Sequence, residues 1–478
     1  MKRQLFARKS ILILALIAIA MLVLAACAPT ALPTAAPPTS AGTGPTSAPA
    51  ATNPPAATSA PSGGATATPP PPTPNGGIIF HSSQFSPVNE AETFRNVILK
   101  DSPVLVDFQP QATGPFVDIV MAQQKAGKIN ISIIGGQHGD FPAFVNAGIM
   151  DDLTPLLNKL ADRKFPDAYV TLGKMGTDKQ YYIPWAQATY IMVANKDALQ
   201  YLPQGADINN LTYTQLTEWA KNAQAGTGQR VLGLPLGPQG LIHRFWQGYL
   251  YPSYTGTEVS GFKSADAVKM WTDFKELWKY VNPSSTNYNN MADPLQSGEV
   301  MIAWDHIARL KPALDAAPDK YVAFPAPSGP KGLAYMPVLT GLGIPVGAPN
   351  RDQAEQVITY LTQPSVQTLV AQNLGFFPVV QGADTSNLPP GTKLEADAIA
   401  KMQAAPNALP ALLPVGLGAK GGDWNKAYND TFTRIVLKNE DIQTVLNEQG
   451  AIVQQILNDT KAPCWSPDPP SSGPCQVK

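Results

Sequence analysis

Between residues 77 and 134 the chain alternates three short β-rich runs with two helical ones, and that alternation restricts the fold more than any other feature. Residues 77–80 (GIIF), 104–108 (VLVDF) and 129–134 (INISII) read as strands, with helical periodicity at 91–99 and 114–125 between them. Strand, helix, strand, helix, strand implies right-handed βαβ units and a parallel sheet. Ligands of such sheets collect beyond the C-terminal ends of the strands. The geometry therefore draws attention to Ser82, Ser83 and Gln84 after the first strand, and to Gly135, Gly136, Gln137 and His138 after the third.

The first 77 residues belong to a different physical class. MKRQLFARKS places four basic residues before an uncharged apolar run that ends in Leu24-Ala25-Ala26-Cys27, the layout of a lipoprotein signal over 1–26. The run is short for a bilayer span; an uncleaved membrane helix is the alternative reading. Lipidation of Cys27 by two or three acyl chains would give a durable anchor, since each buried CH₂ is worth about 0.8 kcal/mol. Residues 27–77 are then nearly all Ala, Pro, Thr, Ser and Gly, with no apolar face to offset ordering entropy, so they read as a disordered tether. Its reach is roughly 40 Å as a coil and roughly 150 Å if extended. The expected location is outside the cytoplasm, anchored to the cell membrane.

The rest is long enough for two domains or one elaborate one. With 34 basic against 35 acidic residues and a net charge of -1, nothing points to nucleic acid or an anionic surface, and neutral or weakly charged ligands are favoured. Besides Cys27 the only cysteines are Cys464 and Cys475, in a Pro-rich tail over 460–478, which an oxidising compartment would join. Thr212 and Gln215 form a capping box ahead of Leu216, Trp219, Ala220 and Ala223, with Gly226 as the stop. Residues 264–281 repeat the pattern with Trp271 and Trp278 in the stripe, and Asn350 caps a helix carrying Ala354, Val357 and Leu361. Aromatic stripes of this spacing are core.

Five segments in order carry a resemblance. They are ISIIGGQHGDFPAFVNAGIMDDLTPLL, QYYIPWAQATYIMVANKDAL, SGEVMIAWDHIARL, LTGLGIPVGAPNRDQAEQVITYLTQPSVQ and TRIVLKNEDIQTVLNEQGAIVQQIL. Together they resemble the family 1 extracellular solute-binding proteins of ABC transporters, the class that includes sugar-binding proteins, over about 78–457. The resemblance implies an α/β, two-lobed periplasmic-binding-protein-like fold of the class II type, each lobe a parallel-rich sheet flanked by helices. One lobe would hold 78–187 plus 305–346 and the other 188–304 plus 347–459, joined by hinge crossings. It also implies a monomeric receptor that captures a small neutral solute, a sugar or oligosaccharide, between the lobes and delivers it to permease subunits without a cofactor.

Sugars present C–H faces that stack on aromatic rings, and hydroxyls that need bidentate partners. On that chemistry and the matched positions, Trp304, Asp305 and His306 at the second crossing are the leading ligand contacts. Trp185 and Gln187 stand at the first crossing, where Trp185 is favoured for the site over hinge packing. Thr340 and Gly341 occupy a position of close backbone approach, and Gln84 follows the first strand. Trp246, near His243 and Arg244, and Trp424 are balanced between cleft and ordinary packing. Many sugar-binding members carry an acidic or aromatic residue directly after the third strand; here Gln137 or Asp140 would substitute, with His138 beside them. The alternatives are a receptor for a non-sugar solute and, as the rival class, a glycoside hydrolase, in which Asp305 and a second acid would flank the scissile bond. No nucleophile elbow, zinc signature or phosphate loop is present, and the four histidines lack metal spacing, so no catalytic or metal-binding residue is assigned. A surface scaffold would predict repeats, and none are visible.

Overall fold

The structure, a computed structural model, describes residues 77–478. The signal, Cys27 and the tether expected to run to Gly77 lie outside the described residues, except for Gly77 itself. Strand β1 (Ile78–Ser82) pairs in parallel with β2 (Val106–Pro110) and β3 (Ile133–Gln137). The helical links between them are α1 (Val88–Thr93), extended by a π turn, and α2 (Thr113–Lys125). The second and third strands begin two and four residues later than the apolar runs suggest. Packing accounts for the registration of this sheet: Phe80 meets Phe94 and Phe108 edge-on at 5.9 and 5.2 Å.

Two further strands complete this sheet, of which only β10 runs against the others. β4 (Ile183–Ala188) forms one edge, and β10 (Val338–Gly343) inserts between it and β3, giving the order β2-β1-β3-β10-β4. Only Thr189 separates β4 from β5 (Tyr190–Asn195), which lies in a second sheet of order β6-β7-β5-β8, with β6 Leu232–Gly233, β7 Ile302–His306 and β8 Tyr321–Phe324. β5 is antiparallel to both β7 and β8, and β6 pairs with β7 in parallel, so β6, β7 and β8 share one direction. Each sheet therefore has one strand running against the rest, β10 in the first and β5 in the second, and the expected parallel-rich sheets appear as a shared direction of the other strands.

The lobe boundaries also move. The sequence places the second crossing at 305, but β8 hydrogen-bonds β5 through Asn195 and Tyr321, so residues 305–324 stay with the second sheet. The chain returns through β9 (Leu333–Tyr335) into β10. The third crossing falls near 375–380 instead of 347. Helices Arg351–Leu361 and Pro364–Leu374 pack on the first lobe: Arg351 pairs with Asp151, Tyr360 Oη donates to the Ile98 carbonyl at 2.7 Å, and Gln367 donates to the Trp185 carbonyl. The three crossings touch. Gln187 and Phe377 exchange backbone hydrogen bonds, and the Thr189 hydroxyl donates to the Met336 carbonyl at 2.9 Å.

The capping box at Thr212 and Gln215 starts the helix Tyr213–Thr227, which runs past Gly226 and stops at Gly228, whose positive φ of 75° suits a left-handed cap. Asn350 is itself left-handed, and its amide donates to the Gly77 carbonyl instead of capping the following helix. Cys464 and Cys475 are bonded. The tail docks on the second lobe, where Asp468 accepts from the backbone N–H groups of Glu258, Val259 and Ser260. Among the described residues no helix is long and apolar enough to cross a membrane.

Candidate functional site between the lobes

The C-terminal ends of β1 and β3 face the start of β5 and the end of β7 across a cavity of about 440 Å³. From the first lobe come Ser83, Gln84 and Gln137, with Glu90 on α1. From the second come Tyr190, His243, Arg244, His306 and Arg309. Strand register explains the second wall. Tyr190 lies opposite His306 and Met192 opposite Trp304, so these four share one face of the sheet, while Asp305 points to the other. Tyr190 lies flat on Trp304, with ring centroids 4.9 Å apart and planes 6° from parallel, and meets His306 edge-on at 5.0 Å. A side recess shared through Gln137, Arg244 and Asn425 leads to Asp140 and Trp424.

Hydrogen bonds hold these groups in place. Asp140 accepts from the Ser83 hydroxyl and the Gln137 backbone N–H, both at 2.9 Å. The Gln84 amide donates to the Ser83 oxygen at 3.1 Å. Arg244 donates to Gln247 at 3.1 Å and to the Gln137 side-chain oxygen at 3.5 Å, so it reaches across the cleft. Arg309 donates to the backbone carbonyls of Gln239 and Asn289 at 2.7 and 2.8 Å. His306 Nδ1 accepts from the Ala308 backbone N–H at 3.2 Å, which leaves the proton on Nε2.

Burial dominates the electrostatics. It pushes Glu90 up to about 7 against the pull of Arg309. It pushes Asp140 up to about 6, opposed by the Ser83 hydroxyl, the Gln137 N–H and Arg244. Burial, with Arg309 nearby, brings His306 down to about 3, and His243 falls well below the usual imidazole range for the same reason, helped by Arg244 and Arg309. Both acids stand on the first lobe's wall and both arginines on the second's. The described arginine ion pairs involve Arg163, Arg351 and Arg434; neither Arg244 nor Arg309 is among them. Among the described residues the one cluster of metal-ligating types is Cys464, Asp468 and Cys475, and the disulfide consumes both of its thiols.

The sequence profile described as bacterial extracellular solute-binding protein matches residues 88–368, more than half of the chain. The chain belongs to that family. Curated protein sequences return no match. Solved structures agree on the fold of this solute-binding protein. Maltose-bound MalE3 of T. maritima superposes with a TM-score of 0.63 at 17% identity, covering 80% of this chain and 99% of that one. A sugar transporter from Arthrobacter chlorophenolicus A6 with bound laminaribiose gives 0.64 at 14%, covering 80% and 100%. UgpB from Mycobacterium tuberculosis in complex with glycerophosphocholine gives 0.60 at 16%, covering 80% and 99%.

Of the residues expected to touch solute, the binding protein brings Gln84, Gln137 and His306 to the cleft and places Trp424 in the side recess. The others serve the scaffold. Trp304 is fully buried, with Phe245 and Tyr249 against its edges at 5.0 and 5.3 Å. Asp305 spends its carboxylate on the backbone N–H groups of Met291 and His306, at 2.9 and 2.7 Å. Trp185 packs between Phe85 and Phe94, the hinge-packing alternative. Gln187 accepts from Tyr169 Oη, donates to the Pro378 carbonyl and lines a separate cavity of about 300 Å³ behind the crossings. His138 Nδ1 is bonded to Tyr182 Oη at 3.0 Å, and the Thr340 hydroxyl donates to the Ala186 carbonyl at 2.9 Å. At Gly341 a Cβ would come within 2.3 Å of the Tyr182 ring, so the glycine admits that ring and not a ligand. Trp246 donates to Asn429 at 3.2 Å and stacks on Phe432.

Tyr190, Glu90 and Arg309 are cleft residues that the motif reading misses. A signal for two of them exists. Tyr190 pairs with His306 once β5 and β7 are aligned, and Arg309 follows His306 by one helical turn.

Proposed function

We propose that this protein is an extracytoplasmic receptor that captures a hydroxyl-rich solute, a sugar or short oligosaccharide, between its lobes and passes it unaltered to an ABC importer. The observation that carries the reading is the Tyr190 ring, backed by Trp304 and lining a cavity together with Gln84, Gln137, His306 and Arg244. An aromatic face beside bidentate polar groups is what a sugar ring requires. The cavity volume falls in the range of about 300–1,000 Å³ common to small-molecule sites. MalE3 of T. maritima binds maltose and the Arthrobacter transporter binds laminaribiose, which supports the same class of solute here.

Binding then works by population shift: a solute that touches both walls stabilises the closed arrangement through contacts that the open one lacks. Going from 1:99 to 99:1 takes about 5.5 kcal/mol of differential affinity. Hydrolysis is disfavoured because Glu90 and Asp140 stand on one wall, whereas a hydrolase needs its two acids to flank the scissile bond. Delivery from the membrane surface would use the lipid on Cys27. Screening sugars by thermal shift while assaying for products tests the reading. A raised melting temperature with intact ligand supports it, and turnover would replace it with a hydrolase.

A further inference from the structure

The second lobe's wall offers the cavity almost nothing but donors. Arg244 is only 9% exposed, and its protein partners are two neutral amide oxygens. A guanidinium carries five N–H donors in a fixed fork, so most of its capacity is left for whatever fills the cleft. Arg309 spends one nitrogen on two backbone carbonyls and keeps the rest of its fork. His306, with Nδ1 occupied, presents Nε2–H to the same space. Tyr190 lies within the electrostatic reach of both arginines. A buried cation is costly unless it is paired, and Arg244 is buried with no paired carboxylate among the described residues, while the half-buried Arg309 has none either. Asp140, which feels the Arg244 charge from the opposite wall, is already hydrogen-bonded by Ser83 and Gln137.

Building on the receptor reading above, we propose that the captured solute carries an anionic group, a carboxylate or a phosphate, seated between Arg244, Arg309 and His306 Nε2–H. Its hydroxyls turn to Glu90, Asp140 and Gln84 on the opposite wall. A planar carboxylate matches the guanidinium fork bidentately, and a phosphate oxygen pair does the same. A sugar acid and a phosphorylated polyol share this chemistry. The near-zero charge of the whole chain does not oppose the assignment, because what the ligand meets is the local field of the cleft.

The facing titratable groups give the binding a pH signature. From the second lobe, burial holds His243 and His306 neutral and lifts Asp305, which lies within reach of the Arg309 charge, to about 6. From the first lobe, burial lifts Glu90 to about 7 and Asp140 to about 6. Lowering the pH from 8 to 6 therefore removes negative charge opposite the anion, while a sugar carboxylate stays ionised. Binding of the acid tightens and binding of a neutral sugar does not.

The test titrates the purified protein by calorimetry with matched pairs: glucose and glucuronate, galactose and galacturonate, glycerol and glycerol 3-phosphate. The acidic member of at least one pair should bind tenfold or more tightly than its neutral partner and weaken as salt is raised. Preference within a sugar pair identifies a sugar acid, and preference confined to the glycerol pair identifies a phosphate ester. Arg309→Gln should remove at least tenfold of that affinity while leaving the unliganded melting temperature unchanged. Arg309 is chosen because it is less buried than Arg244, and Glu90→Gln gives a second reading by flattening the pH dependence. Neutral sugars binding as tightly as their acids would overturn the inference and leave the receptor reading standing. Failure of every probe, neutral and acidic, would overturn both the inference and the sugar assignment.

Discussion

Replacing Trp304 by alanine should unfold the second lobe more readily before it says anything about solute. The indole is fully buried, lies 4.9 Å beneath the Tyr190 ring, and has Phe245 and Tyr249 against its edges. Its Nε1 has no partner, so truncation orphans no acceptor. The loss is transfer energy plus the cavity left behind, about 3–5 kcal/mol for a core tryptophan. Unfolding entropy of about 2.1 cal/mol/K per residue, over roughly 400 residues, converts this to a fall in melting temperature of about 4–6 °C. Scanning calorimetry at pH 7 on wild type, Trp304→Ala and Trp304→Phe reads it directly, and the phenylalanine variant should lose less than half as much. Solute affinity falls as well, because Tyr190 loses its support. A Trp304→Ala protein that melts within about 1 °C of wild type yet binds solute tenfold more weakly would place the indole in the cleft and refute the packing argument.

Tyr190→Leu should keep most of the buried volume and remove the stacking face, weakening solute binding tenfold or more, about 1.4 kcal/mol, as read by calorimetric titration. Gly341→Ala would force a Cβ to within 2.3 Å of the Tyr182 ring; overpacking costs about 1–3 kcal/mol, and a lowered melting temperature without altered solute specificity is the expected result. Burial brings His138 down to about 4, below its value near 6.5 in the unfolded chain. Its neutral form therefore supports the fold above pH 6.5, and that support is lost as the pH falls toward 4, when the unfolded imidazole takes a proton the folded one refuses. Between pH 7 and 5 this amounts to roughly 2 kcal/mol, so His138→Gln should lose less melting temperature than wild type over that range.

The physics of local pattern was readable without coordinates. Strand β1, the Thr212–Gln215 capping box and the burial of Trp219 and Trp271 follow from periodicity and capping alone. The βαβ argument also reaches the right ends of the first and third strands, which supply Gln84 and Gln137 to the cleft. The second crossing was less legible. Every residue of β7 is buried, so no polar alternation reveals which face Trp304 and Asp305 take, and the aromatic beside the cleft turns out to be Tyr190, diagonal to Trp304 on the neighbouring strand. Arg309 was hidden for another reason: its role depends on the second lobe's helix facing α1 of the first across the cavity, which brings residues more than 200 positions apart to one site. The lobe boundaries missed because β8 and β10 are similar short apolar runs assigned to different sheets only by long-range pairing.

The most direct measurement is a cross-cleft distance. Spin labels at Glu92 on the first lobe and Gln239 on the second, both exposed, report the separation of the walls by pulsed electron resonance. Addition of a solute that raises the melting temperature should narrow the distribution and move it to shorter distances. An unchanged distribution under saturating solute would contradict capture by closing lobes.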